Sequence, residues 1–150
     1  MIKDQIVKGN LQDFQKKFNL NSLNEDDAFE HYANYLLFQR FNSEIFEDSD
    51  YLNQINVDNG QIFGIDGIGF LMNNTFVFNE DNIENFKKTS QKLPTINADI
   101  VFTQAKTSPK FDSGELLKFI TAVKDFLSDS VGVQKLEGIE KFRKLKKVFL

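Results

Sequence analysis

The sequence contains no cysteine and only one histidine, His31. Without cysteine the chain can form neither disulfides nor thiolate metal sites, and it cannot use a cysteine nucleophile. With a single histidine, a zinc site rich in imidazole ligands is excluded and a serine–histidine–aspartate triad is disfavoured. Any catalysis must therefore rest on other side chains.

Long apolar runs and a strong net charge are also missing. No stretch reaches the roughly 20 apolar residues of a membrane-spanning helix, and the first residues do not resemble a signal peptide. We therefore expect a cytoplasmic protein with no membrane partner. The formal net charge of −4 argues against a general coating by nucleic acid.

The charges are unevenly distributed. Residues 1–100 carry 8 Lys/Arg and 16 Asp/Glu, whereas residues 101–150 carry 10 and 6. The basic last third has two interpretations: solvated helix faces, or an electrostatic footprint beside a binding site.

The length of 150 residues and the 41% hydrophobic and 27% charged content are typical of one globular domain. We divide it into a helical segment at 1–20, a core at 25–128 and a basic helix at 134–150. The chain ends on Lys-Lys-Val-Phe-Leu without a cap or a polar tail, so we expect a fragment of a longer protein.

Hydrophobic periodicity predicts an α/β fold. Strands are predicted at 62–72, 75–78 and 98–105, the last in a central position because its apolar run is nearly continuous. Asn73-Asn74 is typical of a hairpin turn. Helices are predicted at 2–18 with a break at Gly9-Asn10, at 26–41, at 80–92, from 112 to a break at Val131-Gly132, and at 136–150.

Helix starts are predicted from capping residues. Ser22-x-x-Glu25 and Asp112-x-x-Glu115 are typical of capping boxes, and Asp81 is expected to cap the helix at 80–92.

Asp66 stands among apolar residues and the glycines Gly64, Gly67 and Gly69. Burying a carboxylate is costly unless it is paired or binds a cation. The glycines would leave room for a ligand or phosphate to approach the backbone. The alternative is a solvated aspartate in an Asp-Gly turn.

Gln104 and Lys106 are two positions apart, so on a strand both would point to one face. Gln104 would offer its amide oxygen to a hard cation, joined by the backbone carbonyl of Ala105. Lys106 would face a phosphate or an attacking water. Glu30, beside Ala33, Leu37 and Phe41 on its helix, is either a carboxylate at the helix flank or a further site residue.

Two segments carry a family resemblance. Ile65-Asp66-Gly67-Ile68, followed by Phe102-Thr103-Gln104-Ala105-Lys106, resembles the PD-(D/E)xK nuclease superfamily in the Gln-x-Lys variant of Mrr-like restriction endonucleases. Gln104-Ala105-Lys106-Thr107-Ser108-x-x-Phe111, running into Glu115-Leu116-Leu117-Lys118-Phe119, resembles the amino-terminal nuclease-like domain of AIPR (abortive infection phage resistance) proteins. The resemblance covers residues 25–128 and implies a restriction-endonuclease-like fold, with a mixed central sheet flanked by helices.

The resemblance implies metal-dependent hydrolysis of nucleic-acid phosphodiesters, DNA before RNA, in a phage-defence protein. The cofactor would be Mg²⁺, with Mn²⁺ as the alternative. The implied catalytic residues are Asp66, Gln104 and Lys106. The implied metal ligands are Asp66, Gln104, Glu30 and the carbonyl of Ala105, and the expected phosphate-binding residues are Ser108, Lys110 and Ser113.

A second hypothesis keeps the fold without the chemistry. Gln104 stands where most superfamily members carry an acid, which removes one negative charge from the metal site. The chain would then be a catalytically inactive module for nucleic-acid binding or subunit assembly, with a second copy of itself as the partner. The two hypotheses differ in whether Glu30 faces Asp66.

Overall fold

The computed structural model describes residues 2–42, 49–57, 64–108, 110, 112–128 and 137–150, with the backbone alone at 137–139. These residues form a mixed α/β fold of six helices and one three-stranded sheet. The predicted break at Val131-Gly132 and the first residues of the strand predicted at 62–72 lie outside the described residues. The elements, in chain order, are α1 (Gln5–Lys17), α2 (Glu25–Phe38), α3 (Ser49–Ile55), β1 (Gly67–Met72), β2 (Thr75–Phe76), α4 (Glu80–Thr89), β3 (Ala98–Thr103), α5 (Ser113–Leu127) and α6 (Glu137–Phe149).

The sheet has the strand order β2-β1-β3. β1 pairs with β3 from Gly67 opposite Thr103 to Met72 opposite Ala98, and it pairs with β2 through the Asn73-Asn74 turn. Both pairings are antiparallel, so the expectation of a mixed sheet is not met in the described part of the chain. The predicted hairpin is confirmed, and both turn residues have the positive φ that such turns require.

The prediction that β3 is central is wrong within the described sheet, where β3 lies at an edge. Its first residues, Ala98 and Asp99, are exposed, and the next three are only half-buried. β1 occupies the centre, and all six of its residues are buried. Because β1 contains two glycines, its sequence is less apolar than that of β3. Its residues are nevertheless the more deeply buried ones.

Helices cover both faces of the sheet. Alternate residues of β1 point to opposite faces, and two clusters of buried residues result. One cluster joins Ile68, Phe70 and Met72 to α4, α5 and α6. The other joins Leu71 and Phe76 to α1, α2 and α3. The sheet is therefore the middle layer of three.

The glycines of β1 accommodate α2. A Cβ on Gly67 would lie 2.7 Å from Nδ2 of Asn34 and closer still to Oγ1 of Thr103, and one on Gly69 would lie 2.5 Å from the ring of Phe38. Asn34 and Phe38 are one helical turn apart and therefore meet alternate residues of the strand. The expectation that these glycines leave room for a ligand is wrong at both positions, because the protein's own side chains fill the space.

Two predicted helix starts need correction. α2 begins after Asn24, whose side chain accepts from the amide of Asp27, and α4 begins after Asn79, whose side chain accepts from Asn82. The carboxylate of Glu25 is not part of a capping box with Ser22, because it accepts from the amide of Ile2. Several Asn, Asp and Ser residues precede each helix, and composition alone did not decide among them.

The predicted break at Gly9-Asn10 is also wrong, because α1 continues through both residues. One glycine inside a helix costs only about 1 kcal/mol. Burial of Leu11, Phe14 and Phe18 outweighs that cost.

α6 packs against the core through Phe142, Leu145 and Phe149. Its basic residues include Lys146, which does not face solvent. This side chain is buried and donates to the backbone carbonyls of Phe126 and Leu127 at the carboxyl end of α5. It satisfies carbonyls that the helix itself leaves without partners.

Candidate active site

The antiparallel register of β1 and β3 brings Asp66 to the carboxyl end of β3. The amide of Asp66 donates to the carbonyl of Thr103 at 2.9 Å. Oδ2 of Asp66 accepts from the amide of Ala105 at 2.5 Å. The carboxylate therefore contacts the residue that follows Gln104, so the predicted ligands Asp66 and Gln104 lie at the same end of the sheet.

Gln104, Ala105 and Lys106 do not lie on the strand, because β3 ends at Thr103. The prediction that Gln104 and Lys106 share a strand face is wrong for this reason. The amide of Ala105 donates to the Asp66 side chain rather than to a neighbouring strand. The contact that Ala105 makes with Asp66 thus uses its N–H, whereas the prediction concerned its carbonyl.

Glu30, on α2, is close enough to Asp66 for the negative charge of Asp66 to act on it. Burial raises the pKa of Glu30 to about 7, and the negative charge of Asp66 adds to the rise. Burial also raises the pKa of Asp66, although the Ala105 amide and the charge of Lys106 oppose the rise. The negative charge of Asp66 therefore disfavours the ionised form of the half-buried Glu30.

The apolar stripe that Glu30 was expected to border is not the buried side of α2. Leu37 and Phe41 are 43% and 42% exposed. The buried residues of α2 are Ala28, Asn34 and Phe38. The expected stripe therefore does not describe the surroundings of Glu30, which is half-buried and is influenced by the charge of Asp66.

Lys106 makes an ion pair that the sequence did not reveal. Its Nζ lies 2.6 Å from Oε2 of Glu115, and Nζ of Lys118 lies 2.8 Å from the other oxygen. These two hydrogen bonds lower the pKa of Glu115 to about 2, and Glu115 in turn raises the pKa of Lys118. Lys106, whose charge acts on Asp66, is thus also ion-paired with Glu115 in the first turn of α5.

Beneath Asp66 lies a buried polar network that sequence reasoning missed. Nδ2 of Asn34 donates to the carbonyl of Asp66 at 2.8 Å and to Oδ1 of Asn56 at 2.6 Å. Oδ1 of Asn34 accepts from the hydroxyl of Thr103 at 2.5 Å. Nδ2 of Asn56 donates to the carbonyl of Leu52. The network joins α2, α3, β1 and β3 at the point where the site is built.

Of the expected phosphate-binding residues, Ser108 and Lys110 follow β3, and Ser113 begins α5. The hydroxyl of Ser108 accepts from the amide of Lys110 at 3.3 Å, and both side chains are exposed. Ser113 is the first residue of α5. The next two amides of that helix, of Gly114 and Glu115, already donate to the carboxylate of Asp112, as the predicted cap requires.

Few carboxylates are available to hold a cation at the candidate site. Among the residues that the structure describes, no group of three or more His, Cys, Asp or Glu side chains is placed to hold a metal ion. Mg²⁺ is commonly held by one or two carboxylates, with waters and substrate phosphate completing the shell. Glu30 and Asp66 supply that number.

Compared with protein-family models, with curated proteins and with solved structures, the chain gives no match in any of the three. In the described residues, no helix has the length and apolar character needed to cross a membrane.

Proposed function

We propose that this chain is a metal-dependent nuclease domain that hydrolyses phosphodiesters of nucleic acid. The observation that carries the proposal is the presence of two half-buried carboxylates, Glu30 and Asp66, the second of which acts electrostatically on the first. The two carboxylates come from different layers of the fold, and each has its pKa raised by burial. Such perturbed groups concentrate at functional sites.

The carboxylate pair is costly without a cation. Burial penalises each negative charge, and their mutual repulsion adds to the penalty. The buried network around Asn34 holds the backbone of Asp66 in place despite this cost. A bound Mg²⁺ or Mn²⁺ would remove both penalties, with Glu30 and Asp66 as ligands and with Gln104 and the carbonyl of Ala105 as the further ligands proposed.

When bound, the metal would act as a Lewis acid on the phosphate and would lower the pKa of a coordinated water. Lys106 carries positive charge to the edge of the site, where it lowers the pKa of both Glu30 and Asp66. The same charge would stabilise the negative charge that accumulates on the phosphate in the transition state. Glu115 fixes the lysine at this edge and is a positioning residue.

The phosphate contacts in the proposal come from Ser108 and Lys110. Ser113 contributes less, because the amides that follow it already donate to Asp112. A restriction-endonuclease-like fold, a role in phage defence and a preference for DNA belong to the same proposal. The fold is supported by the element order: a helix with Glu30, a hairpin preceded by Asp66, a strand followed by Gln104 and Lys106, and a helix. Phage defence and DNA rest on the sequence resemblance alone.

A second function is favoured by one observation. Lys106 is already paired with Glu115 at 2.6 Å, and Gln104 brings no charge to the metal. A domain with this arrangement would bind nucleic acid or a second copy of itself without cleaving it.

The decisive experiment compares cleavage of plasmid DNA and of labelled single strands in Mg²⁺ and in EDTA. Asp66→Asn and Lys106→Met should abolish cleavage while the circular dichroism spectrum stays unchanged. Asp99→Asn and Lys92→Met change exposed residues that take no part in the site, and they should cleave as the wild type does. Equal cleavage by wild type and Asp66→Asn would refute the nuclease. Binding without cleavage by the wild type would establish the inactive module.

A further inference from the structure

A groove of about 660 Å³ lies beside the candidate site, between the amino-terminal segment and the loop after β3. Its apolar lining comes from Ile2, Val7 and Phe29, and its basic lining from Lys3, Lys106 and Lys110. Lys106 belongs to both the groove and the site. Phe29 precedes Glu30 on α2, so the same helix lines the groove and supplies a carboxylate of the site.

The wall formed by the amino-terminal segment is fixed to the rest of the fold. The amide of Ile2 donates to Oε1 of Glu25 at 2.6 Å, and the Ile2 side chain is buried. Val7 lies on α1, which packs against α2. The groove is therefore bordered by packed elements on the side opposite the loop.

The charge of the groove favours an anion. Asp4 is the one acidic residue of the lining, and its carboxylate accepts from the amides of Ile6 and Val7 at the start of α1. Within the described part of the chain, the ammonium groups of Lys3 and Lys110 form no ion pair. Lys3 and Lys110 thus add positive charge to a lining whose one carboxylate is already hydrogen-bonded, and Lys106, paired with Glu115, lies beside them.

The apolar lining favours an anion that also carries flat apolar faces. Grooves that bind single-stranded nucleic acid combine basic residues, which follow the backbone, with aromatic side chains, on which unpaired bases stack. A duplex presents its phosphates to such a groove but keeps its base faces inside the helix. The lining of Phe29, Ile2 and Val7 would then have nothing to contact.

We propose that this groove binds an unpaired polynucleotide segment next to the phosphodiester that Glu30 and Asp66 address. The inference rests on the proposed function, because it places one substrate strand in the groove and in the site. Lys3 and Lys110 hold the phosphates of this strand, and Phe29 contacts a base.

The test measures binding separately from cleavage. Labelled oligo(dT) of about 12 nucleotides, the same length of oligo(U) and a matched hairpin duplex are titrated in EDTA, where no cleavage occurs. The wild type should bind the single strands at least about tenfold more tightly than the duplex. The Lys3→Glu/Lys110→Glu variant should bind the single strands much more weakly. The slope of its log Kobs against log[salt] should be less negative than that of the wild type by about 0.7 for each lysine. Phe29→Leu, which keeps an apolar side chain, should weaken oligo(dT) more than duplex.

Lys92→Glu is the matched control, because it makes the same charge change at an exposed residue outside the groove. It should leave binding of the oligonucleotides unchanged. Duplex binding as tight as single-strand binding, or equal losses in Lys92→Glu and in the groove variant, would overturn the proposal. Since binding is measured in EDTA, these outcomes are independent of whether Asp66→Asn abolishes cleavage.

Discussion

Asn34, in the middle of α2, donates its side-chain amide to the backbone carbonyl of Asp66 at 2.8 Å. The amide of Val57 donates to the same carbonyl at 3.1 Å. Asn34 is fully buried and uses both amide hydrogens and its oxygen in hydrogen bonds. One side chain therefore connects the helix that carries Glu30 to the residue that carries the second carboxylate.

Replacing Asn34 by leucine should destabilise the fold. The substitution removes the hydrogen bonds that Asn34 makes with the buried hydroxyl of Thr103 and with Oδ1 of Asn56, and each such loss costs about 1–3 kcal/mol. We expect the free energy of unfolding in urea to fall by about 2–4 kcal/mol. Asn85→Leu, at an exposed position of α4, should change it by less than about 0.5 kcal/mol.

A double variant separates the network from simple packing. Thr103→Val removes the hydroxyl that donates to Asn34. Its effect should be smaller in the Asn34→Leu background than in the wild type, because the partner is already absent. Strictly additive effects of the two substitutions would contradict the network.

Two glycine-to-alanine substitutions should have opposite effects on stability. In Gly67→Ala the new methyl group meets Asn34 and Thr103, neither of which can withdraw without losing a buried hydrogen bond. Overpacking of this kind costs about 1–3 kcal/mol. Gly9→Ala places a methyl group in open space within α1 and should stabilise the protein by about 0.5–1 kcal/mol. Thermal unfolding of both variants checks the pair, and stabilisation by Gly67→Ala would show that α2 does not approach β1 this closely.

These glycines show why the sequence predicted the elements better than their packing. The Asn73-Asn74 turn and the helix after Asp112 follow from local backbone and capping preferences, and both are confirmed. The central position of β1 depends on its pairing with both β2 and β3, and no local pattern specifies the pairing with β3, which is separate from β1 in sequence. Gly67 and Gly69 become interpretable only once Asn34 and Phe38 are known to face them.

Glu30 should make the stability of the protein depend on pH. Its ordinary pKa is 4.5 and its pKa in the fold is about 7. Below pH 4.5 it is protonated in both the folded and the unfolded state. Between these two values the unfolded chain loses the proton first, so stability falls as pH rises and the full penalty is present above pH 7. Glu30→Gln should therefore stabilise the protein at pH 8 and have little effect at pH 4.

The expected gain at pH 8 is about 1–2 kcal/mol after allowance for the partial solvent screening of this half-buried group. Differential scanning calorimetry should show an increase of about 2–8 °C in the unfolding temperature. Saturating Mg²⁺ should raise the unfolding temperature of the wild type. It should leave the unfolding temperature of Glu30→Gln nearly unchanged. Glu84→Gln, exposed on α4, should show neither effect, and an equal gain at pH 4 and pH 8 would rule out titration as the cause.

Part of the candidate site could be predicted from the sequence, as part of the fold could, because some of its residues form a local pattern. Asp66, Gln104 and Lys106 stand out because polar residues beside apolar strands need an explanation. Glu115 did not stand out, because a glutamate three residues after Asp112 is typical of a capping box. Its contact with Lys106 crosses from a loop to a helix, and no local pattern records such a contact.

Lys106 and Glu115 form an ion pair, and removing one or the other should shift the pKa of Asp66 in opposite directions. The negative charge of Glu115 raises the pKa of Asp66, and the positive charge of Lys106 lowers it. Glu115→Gln should therefore lower the titration midpoint of Asp66, and Lys106→Met should raise the midpoints of both Asp66 and Glu30. Carbon-detected NMR titration of the carboxyl groups measures these midpoints directly. Lys124→Met changes an exposed residue of α5 and is the control for a general loss of positive charge. Shifts in this control as large as those in Lys106→Met would show that the effect is not local.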